Sequence, residues 1–378
     1  MIAAPIRSSF CRRIALMLIS MFLALGSTTA FAQIVQPSAD ELAALDQRLR
    51  GLMDKDVIPG GLVAVASKGR IIHLKTYGLA NVELVVPVTD STVFEIGSIS
   101  KQFVAAAVML LHEENKIGLD DPIHQYLADL PGEWLGVTVR QLLTHTSGIP
   151  DYEEIRRYDV YRFRLTPEEI IQSAHSRPVD FAPGTGWYYS NTGYFLLSMI
   201  VERIEGRPLG HMLESRIFGP LGMTQTRMAD PEAIIRHRAS GYWVNKVDEL
   251  INRNPTETSS TLGAGGLLSS AYDLAKWDEA LYGDQFLSAA SKETMWTPAI
   301  LPDGKNTGYA FGWFVRPYRG LTSQSHTGQV AGFTASINRF PEQEAVVIVF
   351  LNRFRVGSRR QREAVIHTFM PSLGPIPQ

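Results

Sequence analysis

Val93-Phe94-Glu95-Ile96-Gly97-Ser98-Ile99-Ser100-Lys101 is the most informative stretch of this 378-residue chain. Its first four residues are typical of a strand, and from Ser100 onward apolar residues recur every three to four positions, which is typical of a helix. Ser98 therefore lies at a strand-to-helix junction. Three positions later, Lys101 projects from the same helical face.

This spacing suits a serine nucleophile with a lysine base. The start of a helix carries unpaired N–H groups and a positive partial charge, which stabilise an oxyanion near Ser98. The same charge disfavours an ammonium, so a desolvated Lys101 becomes partly neutral and accepts the serine proton. The alternative is an N-capping Ser98 beside a solvated Lys101, and the tetrad alone does not separate the two.

Two later motifs carry polar groups of the kind that such a site needs. Tyr189-Ser190-Asn191 precedes a helix; Tyr189 would relay a proton if neighbouring cations lower its pKa, and the Asn191 amide would bind a substrate carbonyl and Lys101. His326-Thr327-Gly328 is predicted at a strand end, where Gly328 admits a ligand close to the backbone. The next N–H, from Gln329, would be an oxyanion donor together with that of Ser98. Each motif also fits an ordinary turn or helix cap.

The order of predicted elements indicates an α+β protein. A helix is expected over 40–54, and strands over 61–66 and 71–77 form a hairpin. Helices are expected from Ser100, after the Thr166 capping box, over 191–205 and from Ser270. Strands are then expected over 308–318, 322–326, 332–340 and 345–351, and a final helix over 358–369. The hairpin and the later strands would form one antiparallel sheet flanked by helices, with a mostly helical insertion.

We therefore predict two lobes after a leader. Residues 33–97 and 262–378 form a mixed α/β lobe, residues 98–261 form a helical lobe, and the active site lies in the cleft between them. The loops around 149–165, 235–260 and 300–320 would shape this cleft.

Taken together, the three motifs resemble the serine beta-lactamase-like superfamily. The subset concerned holds class C beta-lactamases, D,D-peptidases, D-aminopeptidases and related esterases. The resemblance covers roughly residues 40–355 and includes three supporting stretches: Leu142-Leu143-Thr144-His145-Thr146-Ser147-Gly148, Pro183-Gly184 and Gly265-Gly266-Leu267-Leu268-Ser269-Ser270. It implies a beta-lactamase/transpeptidase-like fold.

The resemblance also implies roles for individual residues. Ser98 would be acylated, Lys101 and Tyr189 would share acid/base work, and Asn191 would bind substrate. The motif His326-Thr327-Gly328 would line the substrate site. Backbone N–H groups of Ser98 and Gln329 would hold the oxyanion, and which of Lys101 and Tyr189 takes the first proton stays open.

One residue departs from the class C pattern. Class C enzymes carry Lys-Thr-Gly where this chain has His326-Thr327-Gly328. A lysine is a permanent cation that pairs with a substrate carboxylate, whereas a histidine near neutral pH is mostly uncharged. The change favours a peptidase or esterase of small substrates over an efficient beta-lactamase.

Residues 1–32 have the pattern of a signal peptide, with arginines at 7, 12 and 13, an apolar stretch over 14–26 and a cleavage motif ending at Ala32. The protein is therefore expected to be exported to the periplasm or beyond the cell. Membrane attachment is expected only if the leader stays uncleaved. The one cysteine, Cys11, lies in the leader, so the mature chain would have neither disulfide nor thiol nucleophile.

Composition limits the partners. The chain has 36 Lys and Arg against 38 Asp and Glu, which argues against nucleic acid as the main partner. No cofactor or metal is expected, and His145 is interpreted as structural. The predicted function is a serine hydrolase that acylates Ser98 with a small ester or amide, including short peptides. The alternatives are a beta-lactamase and a slow-acylating or non-catalytic binding protein.

Overall fold

A computed structural model of the chain describes residues 33–253 and 257–374. The predicted leader and Cys11 lie outside these residues. The described helices are α1 Ala39–Lys55, α2 Ser100–Glu113, α3 Val139–Leu143, α4 Tyr152–Arg156, α5 Pro167–His175, α6 Asn191–Glu205, α7 Leu209–Leu213, α8 Leu262–Gly265, α9 Ala271–Ala280, α10 Ala289–Trp296 and α11 Arg359–Phe369.

The described strands are β1 Gly60–Ser67, β2 Arg70–Asn81, β3 Val86–Pro87, β4 Phe94–Glu95, β5 Arg227–Met228, β6 Tyr242–Val244, β7 Leu250–Asn252, β8 Leu267–Ser269, β9 Phe314–Tyr318, β10 Leu321–Val330, β11 Phe333–Phe340 and β12 Ala345–Leu351. Seven of them form one antiparallel sheet in the order β3-β2-β1-β12-β11-β10-β9. The first hairpin and the last strands therefore meet where β1 pairs with β12, as predicted, and the α+β class is confirmed.

Alternation along β1 decides what packs on each face of this sheet, because successive side chains of a strand point to opposite faces. Val63 and Val65 belong to a core shared with α1 and α11. Leu62 and Ala64 belong to the larger core, which includes α2, α6 and α9. The helix that carries Lys101 contributes Phe103 and Val104 to this larger core, where Phe103 contacts Phe218 and Trp277.

Local signals place most helices correctly. Ser38 and Glu41 form a capping box before α1, and Thr166 and Glu169 form another before α5, with Pro167 in its first turn. The helices predicted over 40–54, 191–205 and 358–369 are confirmed. No helix within 33–253 and 257–374 has the length and apolar character that a bilayer crossing requires.

Three strand predictions need correction. Residues 308–313 are not part of a strand, because the Phe311 N–H bonds to Met295 and the Tyr309 carbonyl accepts from Ala299, outside the sheet. The motif His326-Thr327-Gly328 does not end its strand, since β10 continues to Val330. The predicted strand over 93–96 shortens to Phe94–Glu95.

A smaller sheet joins β4, β8 and β5 in that order. It brings β5, from the segment predicted as the helical lobe, against β8 of the mixed lobe. The two-lobe boundaries stay a prediction.

Candidate active site

Ser98 lies in a short 3-10 turn, Gly97–Ile99, directly before α2. The Ser100 hydroxyl holds this turn in place, because it donates to the Gly97 carbonyl at 2.7 Å and accepts from the Leu267 N–H at 3.2 Å. The junction predicted from the sequence is thus fixed to β8. Ser98 is partly exposed, whereas Lys101 is completely buried.

The Lys101 amine is surrounded by oxygen atoms. Its Nζ lies 3.1 Å from Ser98 Oγ, 2.7 Å from Asn191 Oδ1 and 2.6 Å from the Ala264 carbonyl oxygen. Burial lowers the pKa of Lys101 to about 7, against the opposing effect of Glu153 and Asp151, which favour the ammonium. At neutral pH, a substantial fraction of this lysine is therefore a free amine.

Of the two adjacent tyrosines, the structure places Tyr189 at the lysine. Its ring centroid lies 4.8 Å from Lys101 Nζ, and its buried hydroxyl makes no hydrogen bond of regular geometry, although Ser98 lowers its pKa through a side-chain interaction. Tyr188 is 44% exposed and its hydroxyl bonds to Glu154. Burial raises the pKa of Tyr189 well above its usual value, so the condition stated from the sequence, a pKa lowered by neighbouring cations, is not met. Tyr189 is a neutral phenol near Ser98, the candidate nucleophile.

Asn191 begins α6, and the preceding Ser190 caps this helix. The Asn191 side chain makes two hydrogen bonds, one as an acceptor and one as a donor. Oδ1 accepts from Lys101, and Nδ2 donates to Asp151 Oδ2 at 3.0 Å. The predicted contact between Asn191 and Lys101 is present.

The strand β10 runs along the Ser98 turn. Gly328 makes this possible, because a methyl group on its Cα would lie 1.8 Å from the Ile96 carbonyl oxygen and 3.2 Å from the Ser98 nitrogen. A methyl group on Gly97 would similarly lie 2.7 Å from the Gln329 nitrogen. The backbone nitrogens of Ser98 and Gln329, the two predicted oxyanion donors, thus belong to the same contact between turn and strand.

His326 carries no positive charge at neutral pH. It is 2% exposed; its Nδ1 lies 2.7 Å from the Thr327 carbonyl oxygen, and its Nε2 lies 3.1 Å from the Tyr309 hydroxyl. The carbonyl accepts only, so Nδ1 donates and Nε2 accepts from Tyr309. Burial and nearby Lys101 lower the pKa of His326 to about 3. Both ring nitrogens are thus engaged within the protein, while the Thr327 side chain is exposed.

An aromatic cluster supports these residues. His145, interpreted from the sequence as structural, accepts a hydrogen bond from the Ser190 N–H at 3.2 Å. Its ring lies 4.3 Å from that of Tyr189 and 4.5 Å from that of Tyr309. Burial and Lys101 lower the pKa of His145 well below its usual value, so this imidazole is neutral as well. The cluster keeps water away from the lysine.

Two groups that bond to Lys101 or Asn191 were not predicted from the sequence. The Ala264 carbonyl, in a glycine-rich stretch, accepts from Lys101, and Asp151 contacts Asn191. Asp151 directly follows Pro150 and is the N-cap of α4, a position that the sequence indicates locally. Nothing local in the sequence indicates that the Ala264 carbonyl faces a lysine 163 residues away.

A cavity of about 690 Å³ lies beside Asp151. It has acidic, basic and aromatic walls, formed by Asp151, Glu153, Glu154, Arg157, Tyr161, Phe354 and Arg355. Residues 149–165 were expected to shape the substrate site, whereas Phe354 and Arg355 were not. A larger cavity of about 810 Å³ elsewhere is lined by none of the predicted site residues. In the part of the chain that the structure describes, no group of three His, Cys, Asp or Glu side chains is arranged to hold a metal ion.

Comparisons with known proteins identify the family of this chain. The family model described as Beta-lactamase matches residues 45–368. Penicillin-binding protein 4* of Bacillus subtilis (strain 168) is 33% identical over 312 residues, which cover 78% of this chain and 68% of that protein.

Solved structures share the fold. D-amino acid amidase from Ochrobactrum anthropi SV3 superposes with a TM-score of 0.75 at 28% identity, covering 87% of this chain and 99% of that one. The octameric penicillin-binding protein homologue from Pyrococcus abyssi superposes with a TM-score of 0.74 at 29% identity, covering 88% of this chain and 80% of that one. This chain is thus a serine hydrolase that belongs to the beta-lactamase family.

Proposed function

We propose that this protein hydrolyses a small ester or amide, including short peptides, through an acyl-enzyme on Ser98. The observation that carries the proposal is the position of the Lys101 amine, 3.1 Å from Ser98 Oγ and completely buried. A free amine has two N–H groups and one lone pair. Asn191 Oδ1 and the Ala264 carbonyl accept the two N–H bonds, which leaves the lone pair for the serine proton.

In the proposed reaction, Lys101 removes the proton from Ser98 as Oγ attacks the carbonyl carbon. The resulting oxyanion is held by the N–H groups of Ser98 and Gln329. Tyr189, a neutral phenol, gives its proton to the leaving group as the carbon–heteroatom bond breaks and takes the proton that Lys101 holds, so both groups regain their starting forms. Water then attacks the acyl carbon and gives a proton to Lys101. The bond from the acyl carbon to Ser98 Oγ breaks, Oγ takes that proton from Lys101, and the acid leaves.

The neutral state of His326 supports a substrate that brings no carboxylate to β10. Classical beta-lactams bring one, which opposes a beta-lactamase. That activity is nevertheless the alternative function, because the matching family model is described as Beta-lactamase and the Bacillus subtilis relative binds penicillin by its name. D-amino acid amidase, a solved relative, acts on a D-amino acid amide by its name, which supports an amide as one class of proposed substrate. Nucleic acid is not among the proposed partners.

We further propose that residues 1–32 direct export and are removed after Ala32. The folded region is consistent with this boundary, because the Val35 N–H already donates to the Phe369 carbonyl at 2.9 Å. N-terminal sequencing of the protein from the source cell is the test. A start at Gln33 supports cleavage, whereas a retained leader supports a membrane-tethered form.

Intact-protein mass spectrometry tests the catalytic proposal. The protein is incubated with a fluorophosphonate and, separately, with a penicillin and a cephalosporin, and adducts are mapped by digestion. A fluorophosphonate adduct on Ser98 that is absent in S98A supports the activated serine. Persistent beta-lactam adducts indicate a D,D-peptidase-like site, and rapid beta-lactam turnover indicates the alternative. Absence of any adduct favours a binding protein and contradicts the proposal.

A further inference from the structure

Asp151 stands out because a buried carboxylate contacts a residue of the candidate site rather than a basic side chain. It is 4% exposed, and each of its oxygens accepts a hydrogen bond. Oδ1 accepts from the Glu153 N–H at 3.0 Å as the cap of α4, and Oδ2 accepts from Asn191 Nδ2 at 3.0 Å. An ionised carboxylate donates nothing, so it accepts only the NH2 end of the Asn191 amide.

The other end of the same amide faces Lys101. The contact from Lys101 Nζ to Asn191 Oδ1 is 2.7 Å. If the amide turned over, its NH2 group would face the amine and compete with Ser98 for the lone pair. The orientation of Asn191 therefore decides whether the lone pair of a neutral Lys101 points to Ser98.

We infer that Asp151 is a positioning residue: it fixes the Asn191 amide in the one orientation that aims the Lys101 lone pair at Ser98. This inference rests on the proposed acyl-enzyme function. Asp151 acts through Asn191 and contacts neither Ser98 nor Lys101 by hydrogen bond. It also lines the 690 Å³ cavity, so the carboxylate links that cavity to the lysine.

The charge of Asp151 has a second, separable effect. Lys101 is faced by Asp151 and Glu153 from α4, by the rings of Tyr189 and Tyr194, and by the neutral imidazoles of His145 and His326. Either acidic residue stabilises the ammonium, so removal of the Asp151 charge moves deprotonation of Lys101 to lower pH. Loss of orientation instead lowers the rate at every pH.

The test compares four variants by the second-order rate of fluorophosphonate labelling at Ser98 between pH 5 and 10. D151N has one acceptor oxygen for two donors, the Glu153 N–H and Asn191 Nδ2. D151S keeps an N-capping hydroxyl for α4, but its side chain is too short to reach Asn191. Both are expected to lower the high-pH rate about 10- to 100-fold, the scale found for groups that orient the ligands of a metal. N191D places two carboxylates in contact and is expected to lose at least as much.

The double variant D151N/N191D is the decisive one. It reverses the polarity of the pair, since the carboxylate introduced at position 191 would accept from both Lys101 and the amide introduced at position 151. We expect it to label at least tenfold faster than N191D, even if D151N alone folds poorly. Rates for D151N and D151S within twofold of wild type, or a double variant no faster than N191D, would overturn the inference. Absence of Ser98 labelling in the wild type would instead overturn the proposed function, which keeps the two failures apart.

Discussion

Gly328 lies so close to Ile96 that a methyl group on its Cα would come within 1.8 Å of the Ile96 carbonyl oxygen. Because the Gly328 Cα and the Ile96 carbonyl oxygen both belong to the backbone, neither moves without displacing β10 or the Ser98 turn. The absence of a side chain at residue 328 thus allows β10 to lie against the turn that carries the Ser98 N–H, one of the two predicted oxyanion donors.

We predict that G328A lowers kcat/KM on any ester that the wild type hydrolyses by about a hundredfold, the cost of a displacement near 1 Å in a reacting site. G51A is the control, because nothing lies within 4 Å of the added methyl group in α1. It should leave kcat/KM unchanged and raise the free energy of unfolding by about 0.5–1 kcal/mol. Wild-type activity in G328A would contradict the contact.

The activity should rise with pH through about 7. Burial lowers the pKa of Lys101 to about 7, and only the amine form accepts the serine proton. The pH profile of kcat/KM should therefore have an acid limb near that value, which belongs to the coupled group of Lys101, Glu153 and Asp151. K101M should lose the activity altogether. A flat profile between pH 5 and 9 would exclude Lys101 as the base.

The charge of Glu153 should set the pH at which the acid limb of the kcat/KM profile lies. Its pKa is raised to about 7, first by burial and then by Asp151, and its negative charge favours the Lys101 ammonium. E153Q removes this charge, so the acid limb should move to lower pH. The same pH profile measures it, and a shift to higher pH would contradict the assigned sign.

Tyr189 and Tyr188 provide a matched pair. Y189F removes the buried hydroxyl near Ser98 and should lower kcat about 10²- to 10⁴-fold, the usual contribution of a positioned proton donor. Y188F removes a hydroxyl that bonds only to the surface residue Glu154 and should change kcat less than twofold. Stopped-flow measurement of acylation and deacylation identifies the step that Y189F slows. Equal effects of the two variants would reject the role of Tyr189.

Stability should fall as the pH decreases below about 6.5. The pKa of His326 is lowered to about 3 in the folded state, from 6.5 when exposed. Between these values the unfolded chain binds a proton that the folded chain does not, so unfolding becomes easier by up to about 1.4 kcal/mol per pH unit. Buried His145 acts in the same direction. The free energy of unfolding, measured with urea between pH 5 and 6.5, should change less with pH for H326Q than for wild type. An unchanged dependence on pH would contradict a neutral His326.

Much of the fold follows from short-range patterns. The helix over 39–55, the hairpin of β1 and β2 and the capping box at Thr166 depend on residues within a few positions of each other, and all three were predicted. The segment over 308–313 was predicted as a strand because its residues are apolar. It bonds instead to residues near Met295, a preference that no local pattern records.

The sequence by itself indicated Ser98 and Lys101 as the candidate nucleophile and base, because residues three apart at the start of a helix share a face. Only the tertiary structure decided which oxygens surround that lysine, since Asn191 and the Ala264 carbonyl lie 90 and 163 residues after it. It also decided that the Tyr189 hydroxyl is buried while Tyr188 is exposed, and that Asp151 bonds to the far end of the Asn191 amide. The pKa of Lys101 depends on burial and distant charges, which exist only once the chain has folded.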